Sequence, residues 1–314
     1  MLFAPAFGEA AKDAQKIHSF SSLFSVERAT KGMDLSMRIC TLASGSSGNA
    51  MLVCAGHTRV LLDAGISARR IVTALRCLDV EPQSLSGILV THQHADHIAG
   101  IATLTKQLAL PVYATAPTLR QLSYRIPFLE ELIRPVEPGD GFEMGGLWVE
   151  PFSTPHDATG SVGYALSDAY GKMALATDLG HLTEDVYQGI RGANLLVAEA
   201  NHDEDWVRSG PYPYYLKQRI LGDQGHLSNE AGAALVRHAA EQGTRCMILA
   251  HLSAENNTPL RARAVSALHL SAGGIDPEQD VHLSVAPRRE PGPMFEIGAG
   301  GQVHVRQLRE GVGC

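Results

Sequence analysis

The sequence predicts an α/β protein, a sandwich of two sheets flanked by helices. Three observations carry that expectation. Short apolar runs alternate with stretches of helical spacing, and they do so in two similar halves. Glycine is frequent, at 31 of 314 residues, which favours many tight turns. Several apolar runs also end in a titratable residue, namely His92, His156, Asp178, Glu199 and His251. Strand ends are where sheet-built enzymes collect their chemistry.

The elements follow in order. Residues 1–36 are Ser- and Ala-rich with weak periodicity and read as a loose extension ahead of a domain spanning 37–290. "MRICTLA", "NAMLVCA" and "TRVLLDAG" are apolar runs separated by "SGSSGN" and "GH", the pattern of an antiparallel meander. "SARRIVTALRCLDV" has helical spacing, with Ile71, Leu75 and Leu78 on one face. "SGILVTHQH" is a buried strand running into a polar end, "GIATLTKQLAL" a helix and "PVYATA" a strand. In the second half, "LWVEPFSTPH", "GYALSDAYGKMALATDLG", "ANLLVAEAN" and "TRCMILAHLS" each carry a strand. "SNEAGAALVRHAAEQG" is a helix with Ser228 as N-cap and Gly243 beyond its end. "VHLSVAPRREPGPMFEI" supplies a last strand and a Pro-rich edge, and 291–314 reads as a tail.

Composition narrows the function classes. Hydrophobic residues make up 45% and charged residues 19%, which places the chain among ordinary globular proteins. A net charge of −7 argues against a protein that coats nucleic acid non-specifically, but not against a local basic groove. The five cysteines are scattered, with no C-x-x-C pair, which fits a reducing cytosol better than a disulfide framework or zinc knuckle. No apolar run has the length of a membrane span, and the N-terminus lacks the pattern of a signal peptide. A cytoplasmic protein without membrane attachment is expected.

The chemistry concentrates in "THQHADHIAG", which holds His92, His94, Asp96 and His97 within six residues. Imidazoles and a carboxylate so close compete for polar space and repel when protonated, unless they bind a metal ion. His92 and His94, as alternate residues at a strand end, leave on the same side. The chain then turns, so that Asp96 and His97 approach from another direction, and one short loop can serve two metal positions. Paired ions about 3.5–4 Å apart acidify a water and polarise the bond it attacks.

This H-x-H-x-D-H loop resembles the signature of the metallo-β-lactamase superfamily. The resemblance covers roughly residues 37–290 and implies a four-layer αβ/βα sandwich with a two-metal site between its sheets. It implies that His92, His94 and His156 hold one divalent ion, zinc or manganese, and that Asp96, His97 and His251 hold the other. Asp178 would bridge the two ions, and Asp63 would orient a ligand without binding metal. "ASGSSGN", "ATDLG", "EAN", "GHLSN" and "HLSAENN" then fall in the order found in the WalJ/YycJ branch, which stands beside tRNase Z, RNase J and a cyclic phosphodiesterase. That likeness implies 5′-to-3′ exonuclease action on DNA. By similarity to tRNase Z-like enzymes, Glu199 is expected to pair with His226, a histidinium that protonates the poor alkoxide leaving group while Asp96 orients the nucleophile.

Ser46, Ser47 and Asn49 of "SGSSGN" are candidates for a phosphate site. Lys217 and Arg219, in a Tyr-containing segment at 206–225, and Asn257 complete the expected substrate contacts. The chain is too short for the β-CASP insertion of RNase J. Two other readings stand beside the nuclease: a small-molecule hydrolase of a cyclic phosphodiester, thioester or lactone, and a non-catalytic, metal-stabilised regulatory protein. His57, His181, His202, His238, His269, His282 and His304 have no motif support, although His202 lies close to Glu199 in sequence.

Overall fold

The structure, a computed structural model, describes residues 36–308; all but the last residue of the expected extension 1–36 lies outside that range. Among the described residues, fifteen strands form two sheets, one of eight strands and one of seven. The predicted meander is β1 (Met37–Ala43), β2 (Ala50–Ala55) and β3 (Thr58–Leu62), all antiparallel. Parallel strands β4 (Gly87–Leu89), β5 (Val112–Thr115) and β6 (Ile133–Val136) extend it. In the second sheet, β7 (Phe142–Met144), β8 (Leu147–Ser153), β9 (Val162–Ser167) and β10 (Lys172–Ala176) run antiparallel. β11 (Leu195–Glu199), β12 (Cys246–Ala250) and β13 (His282–Val285) add on in parallel.

Strand alternation builds the layers. In β2, Met51 and Val53 join a core shared between the sheets, while Leu52 and Cys54 join a second core facing helices. In β11 and β12, Leu195, Val197 and Ile248 enter the shared core, and Leu196, Met247 and Leu249 pack outward on helices. Such runs are apolar on both faces because both faces are covered. Helices α1 (Ala68–Cys77), α2 (Ala95–Ile98), α3 (Ile101–Leu108) and α4 (Ala116–Arg125) accompany the first sheet. Ile71, Leu75, Leu104 and Leu122 are their apolar contribution. Helices α5 (Glu184–Ile190), α6 (Glu204–Ser209), α7 (Tyr214–Leu221), α8 (Asn229–Glu241) and α9 (Pro259–Ala272) follow in the second half, where α5, α8 and α9 cover the second sheet through Val186, Leu235 and Leu270. The result is helix, sheet, sheet, helix, the four-layer sandwich.

Ser228 caps α8 as expected, its Oγ accepting from the Ala231 amide. The tail expectation is corrected. β14 (Met294–Ile297) pairs with β1, and β15 (Val303–Arg306) pairs with β14, so the first sheet extends well beyond residue 290. Phe295 is wholly buried in the inter-sheet core, which is why these short strands stay docked despite the prolines before them. Among the described residues, no helix is long and apolar enough to cross a membrane.

Candidate active site

Strand ends deliver the polar cluster. Asp63 follows β3, Asp178 follows β10 and His251 follows β12, and all three have positive φ, at 59°, 62° and 57°. Left-handed backbone is disfavoured for side chains with a Cβ and persists where the surroundings enforce it. The loop carrying His92 to His97 is pinned from below: Ala64 donates to the His97 carbonyl at 2.9 Å, and Asn49 donates to the Asp96 carbonyl at 2.8 Å. Gly65 allows this approach, since a Cβ there would lie 1.7 Å from the Asp96 carbonyl oxygen.

The predicted ligands converge in two groups. His92 Nε2 lies 3.0 Å from His94 Nδ1, and His156 Nε2 lies 3.2 Å from the same His94 atom. Two nitrogens bound tetrahedrally to one zinc ion sit ~3.3 Å apart, so this spacing fits a shared cation. The second group is Asp96, His97 and His251. Asp96 Oδ2 lies 3.5 Å from His97 Nε2 and 3.4 Å from His251 Nε2. Asp178 stands between the groups. Its Oδ1 is 3.7 Å from His156 Nε2 and 3.6 Å from His251 Nε2, and its Oδ2 is 3.5 Å from His97 Nε2. That Oδ2 is buried and has no hydrogen-bond partner. A carboxylate oxygen left unmatched among imidazole nitrogens is what a divalent ion satisfies.

The far nitrogen of most of these rings is fixed by an acceptor, which sets the tautomer. Asp63 Oδ2 accepts from His97 Nδ1 at 2.7 Å and from the Thr91 hydroxyl at 2.9 Å. Thr91 Oγ1 lies 3.0 Å from His92 Nδ1, so one carboxylate orients two rings, the second through threonine. The Gly225 carbonyl accepts from His156 Nδ1 at 3.0 Å. Glu199 is a second hub. Its Oε1 accepts from both His226 Nδ1 and His251 Nδ1, each at 2.9 Å, and its Oε2 accepts from the amides of Leu179 and Leu227. The expected Glu199–His226 pair is present, and Glu199 orients His251 as well. Thr91, Ser44, Asn201 and Asp157 escaped the sequence reading. Ser44 Oγ accepts from the His251 amide at 2.9 Å, and Asn201 donates to the His251 carbonyl at 2.8 Å. Asp157 Oδ1 lies 3.5 Å from His94 Nε2. Only the "SGSSGN" loop, through Ser44, carried a prior signal.

The expected substrate contacts divide. Ser46 and Ser47 are exposed on their turn. Asn49 is buried, and its amide lies 3.1 Å from His97 Nε2, so it belongs to the base of the cluster. Arg219 reaches the site by pairing with Asp157. Lys217 instead donates to the Arg208 carbonyl at 2.7 Å, bracing α7 on α6. Asn257 is corrected outright. It is buried and exchanges hydrogen bonds with Asn229, donates to the carbonyls of Ala200 and Asn201, and accepts from the Thr258 amide. Every polar atom of its side chain is engaged within the fold. His202 is also buried, and burial pushes its pKa down to about 4.

The two groups differ electrically. Burial holds His92, His94 and His156 below the ordinary imidazole pKa, in the neutral form a metal requires. Burial would lower His97 and His251 too, but the Asp178 carboxylate and, respectively, Asp63 and Asp96 with Glu199 outweigh it; His251 rises to about 10. Glu199 is held down at about 2, the His226 partner overcoming burial. A raised folded-state pKa contributes stability below the unfolded value of about 6.5, which is lost as pH climbs through the folded one. The depressed carboxylates change protonation only in acid. The chelator-treated protein is therefore expected to lose thermal stability between pH 7 and pH 10, while its divalent-metal affinity rises over the same range as the histidine protons leave. Melting curves and metal titrations across that window check both signs.

Comparison with known proteins identifies the family. A family model for the Beta-lactamase superfamily domain matches residues 58–252. Exodeoxyribonuclease YycJ of Bacillus anthracis is 37% identical over 232 residues, covering 73% of this chain and 87% of the relative. Exodeoxyribonuclease WalJ of Streptococcus pneumoniae is 34% identical over 227 residues, covering 71% and 84%. The crystal structure of the metallo-beta-lactamase fold protein YhfI from Bacillus subtilis superposes with a TM-score of 0.63 at 16% identity, covering 83% of this chain and 99% of that one, a likeness of fold. With the family model over most of the domain, these relatives, the four-layer sandwich and the clustered His/Asp donors, the chain belongs to the metallo-β-lactamase superfamily, in its YycJ/WalJ-type branch of metal-dependent hydrolases.

Proposed function

We propose that this protein is a divalent-metal-dependent exodeoxyribonuclease that shortens DNA from the 5′ end. The names of its YycJ and WalJ relatives support DNA as substrate, and the polarity follows the resemblance seen in the sequence. The single observation that carries the phosphodiesterase reading is His226. Its ring is held by Glu199 through Nδ1 and is 19% exposed beside the buried histidines, and although it also stands with Asp178, Glu199 and His251 in a group of possible metal donors, this held and part-exposed ring supports its reading as the proton donor. A phosphodiester with an alkoxide leaving group needs such a donor; a lactam or thioester needs it less.

In this reading His92, His94 and His156 hold one ion and Asp96, His97 and His251 the other, with Asp178 between them. The mixed nitrogen and oxygen donors suit zinc or manganese. Bound there, the ions would polarise the phosphate and acidify the attacking water. Asp96, at the exposed edge of its group, orients that water. His226 delivers its Nε2 proton to the leaving oxygen, and Glu199 stabilises the imidazolium.

The test offers the metal-quantified protein bis-p-nitrophenyl phosphate, 5′-phosphorylated DNA and RNA, and a glutathione thioester side by side. Hydrolysis of the diester and of DNA, with mononucleotides released first from the 5′ end, is the expected result. Thioester turnover without phosphodiester turnover would overturn the proposal.

A further inference from the structure

Helix α7 has little apolar hold on the protein. None of its eight residues is buried, and Pro213 at its start supplies no side-chain cap. So short a helix is marginal by itself, and contacts from outside must keep it in place. Among the described residues, two of its side chains make polar contacts. Lys217 donates to the Arg208 carbonyl on α6. Arg219 forks onto Asp157, its Nε donating to Oδ2 and its Nη2 to Oδ1 at 3.3 Å. The second contact leads to the first ligand group, since Asp157 Oδ1 lies 3.4 Å from His156 Nε2 and 3.5 Å from His94 Nε2. The segment after α7 then carries His226. The His226 amide donates to the Ile220 carbonyl at 3.1 Å, so the last turn of α7 sets where His226 begins. Gly225 permits that closure, since a Cβ there would lie 2.2 Å from the Ile220 oxygen. On the way, the Gln224 carbonyl accepts from the Asp157 amide at 3.0 Å, and the Gly225 carbonyl accepts from His156 Nδ1 at 3.0 Å. Residues 219–226 thus clasp His156 and Asp157 through one side chain and two carbonyls, with His226 at their end.

We infer that Arg219 is a positioning residue for the proton donor: through Asp157 it pins α7 to the loop of the first ligand group, and so fixes where His226 stands. The inference rests on the proposed nuclease reading, in which His226 protonates the leaving oxygen. A forked guanidinium–carboxylate pair sets orientation as well as distance, which a single hydrogen bond does not. The His226 ring is tied to Glu199 at Nδ1, so the place of its Nε2 depends on where the backbone of 222–226 runs. A general acid displaced by about 1 Å loses much of its effect. On this inference Arg219, with Nε and Nη2 both turned to Asp157, braces the site instead of contacting a phosphate.

The test compares metal-loaded Arg219→Met and Arg219→Lys with the wild type on 5′-phosphorylated DNA and on bis-p-nitrophenyl phosphate. Arg219→Met is expected to lower kcat on DNA by about 10–100-fold with KM little changed. Its loss on the small diester should be far less, because phenolate leaves without a proton. Arg219→Lys, which keeps a cation for Asp157, should recover most of the DNA rate. In a His226→Ala background Arg219→Met should cost nothing further, since two residues that act through one group do not add. Amide hydrogen exchange across 219–227 should be faster in Arg219→Met and close to wild type in Arg219→Lys. A raised KM with kcat intact would overturn the inference and make Arg219 a substrate contact. A full further loss in the His226→Ala background, equal losses on both substrates, or unaltered exchange would overturn it as well. A wild type that hydrolyses no diester would sink the nuclease reading, and exchange alone would then decide whether Arg219 pins the segment.

Discussion

Replacing His226 with alanine is expected to lower kcat for DNA hydrolysis by about 10²–10⁴-fold while leaving metal content unchanged. The size follows from losing a positioned general acid. Retention of metal follows from the proposed ligand assignment, in which His92 with His94 and His156, and Asp96 with His97 and His251, hold the two ions, and His226, grouped with Asp178, Glu199 and His251, is left to the proton. The loss should shrink sharply with bis-p-nitrophenyl phosphate, whose phenolate leaves without a proton. Rates on both substrates, paired with elemental analysis of the purified variant, check the claim. Equal losses on both, or an emptied metal site, would mean that His226 serves as a ligand and that the proton comes from elsewhere.

Glu199→Gln should behave in the opposite way and lose metal. The glutamate accepts four hydrogen bonds, two from backbone amides on Oε2 and two from ring nitrogens on Oε1. Glutamine has a single acceptor oxygen. If it stays with Leu179 and Leu227, its NH₂ faces two Nδ1–H donors, and both rings must move their proton to Nε2. A His251 protonated at Nε2 has no lone pair for a cation. If the amide turns the other way, two buried amides lose their acceptor, at about 1–3 kcal/mol each. Either outcome removes support from the second group. Metal affinity there is expected to fall by about 10–100-fold, with a lower Tm. Metal titration and thermal melts on Glu199→Gln beside His226→Ala separate the two roles. Normal metal affinity in the glutamine variant would show that His251 does not depend on this carboxylate.

The ligand groups were legible because their chemistry is rare and local. Three imidazoles and a carboxylate in six residues repel and crowd one another unless a cation draws them together, and the later members each close a strand. The residues that aim the rings were not legible. Thr91, Ser44 and Asn201 are types that occur in every loop, and what they do depends on which strand end faces them across the sandwich. Asn257 shows the reverse error. An asparagine soon after a strand-closing histidine looks available to substrate, yet its partners Asn229 and Ala200 come from segments that sequence proximity does not reveal. Lys217 likewise carries the right charge but spends it on a neighbouring carbonyl. The last two strands were hidden because each has only four residues and the stretch before them is rich in proline. Helix α9 was hidden by its composition, with Leu260 and Leu268 exposed among buried alanine and leucine, so its apolar face is blurred.

The pairing of β1 with β14 bears on how the chain is made. Met37 sits opposite Ile297, and Ile39 opposite Phe295. A nascent chain halted at residue 290 would already hold every candidate ligand from His92 to His251. It would still present Met37–Ala43 as an open, apolar strand edge, a template for pairing with another chain. Synthesis must therefore run past Ile297 before the first strand is covered on both sides. During that interval the protein depends on its ribosome, on chaperones or on speed.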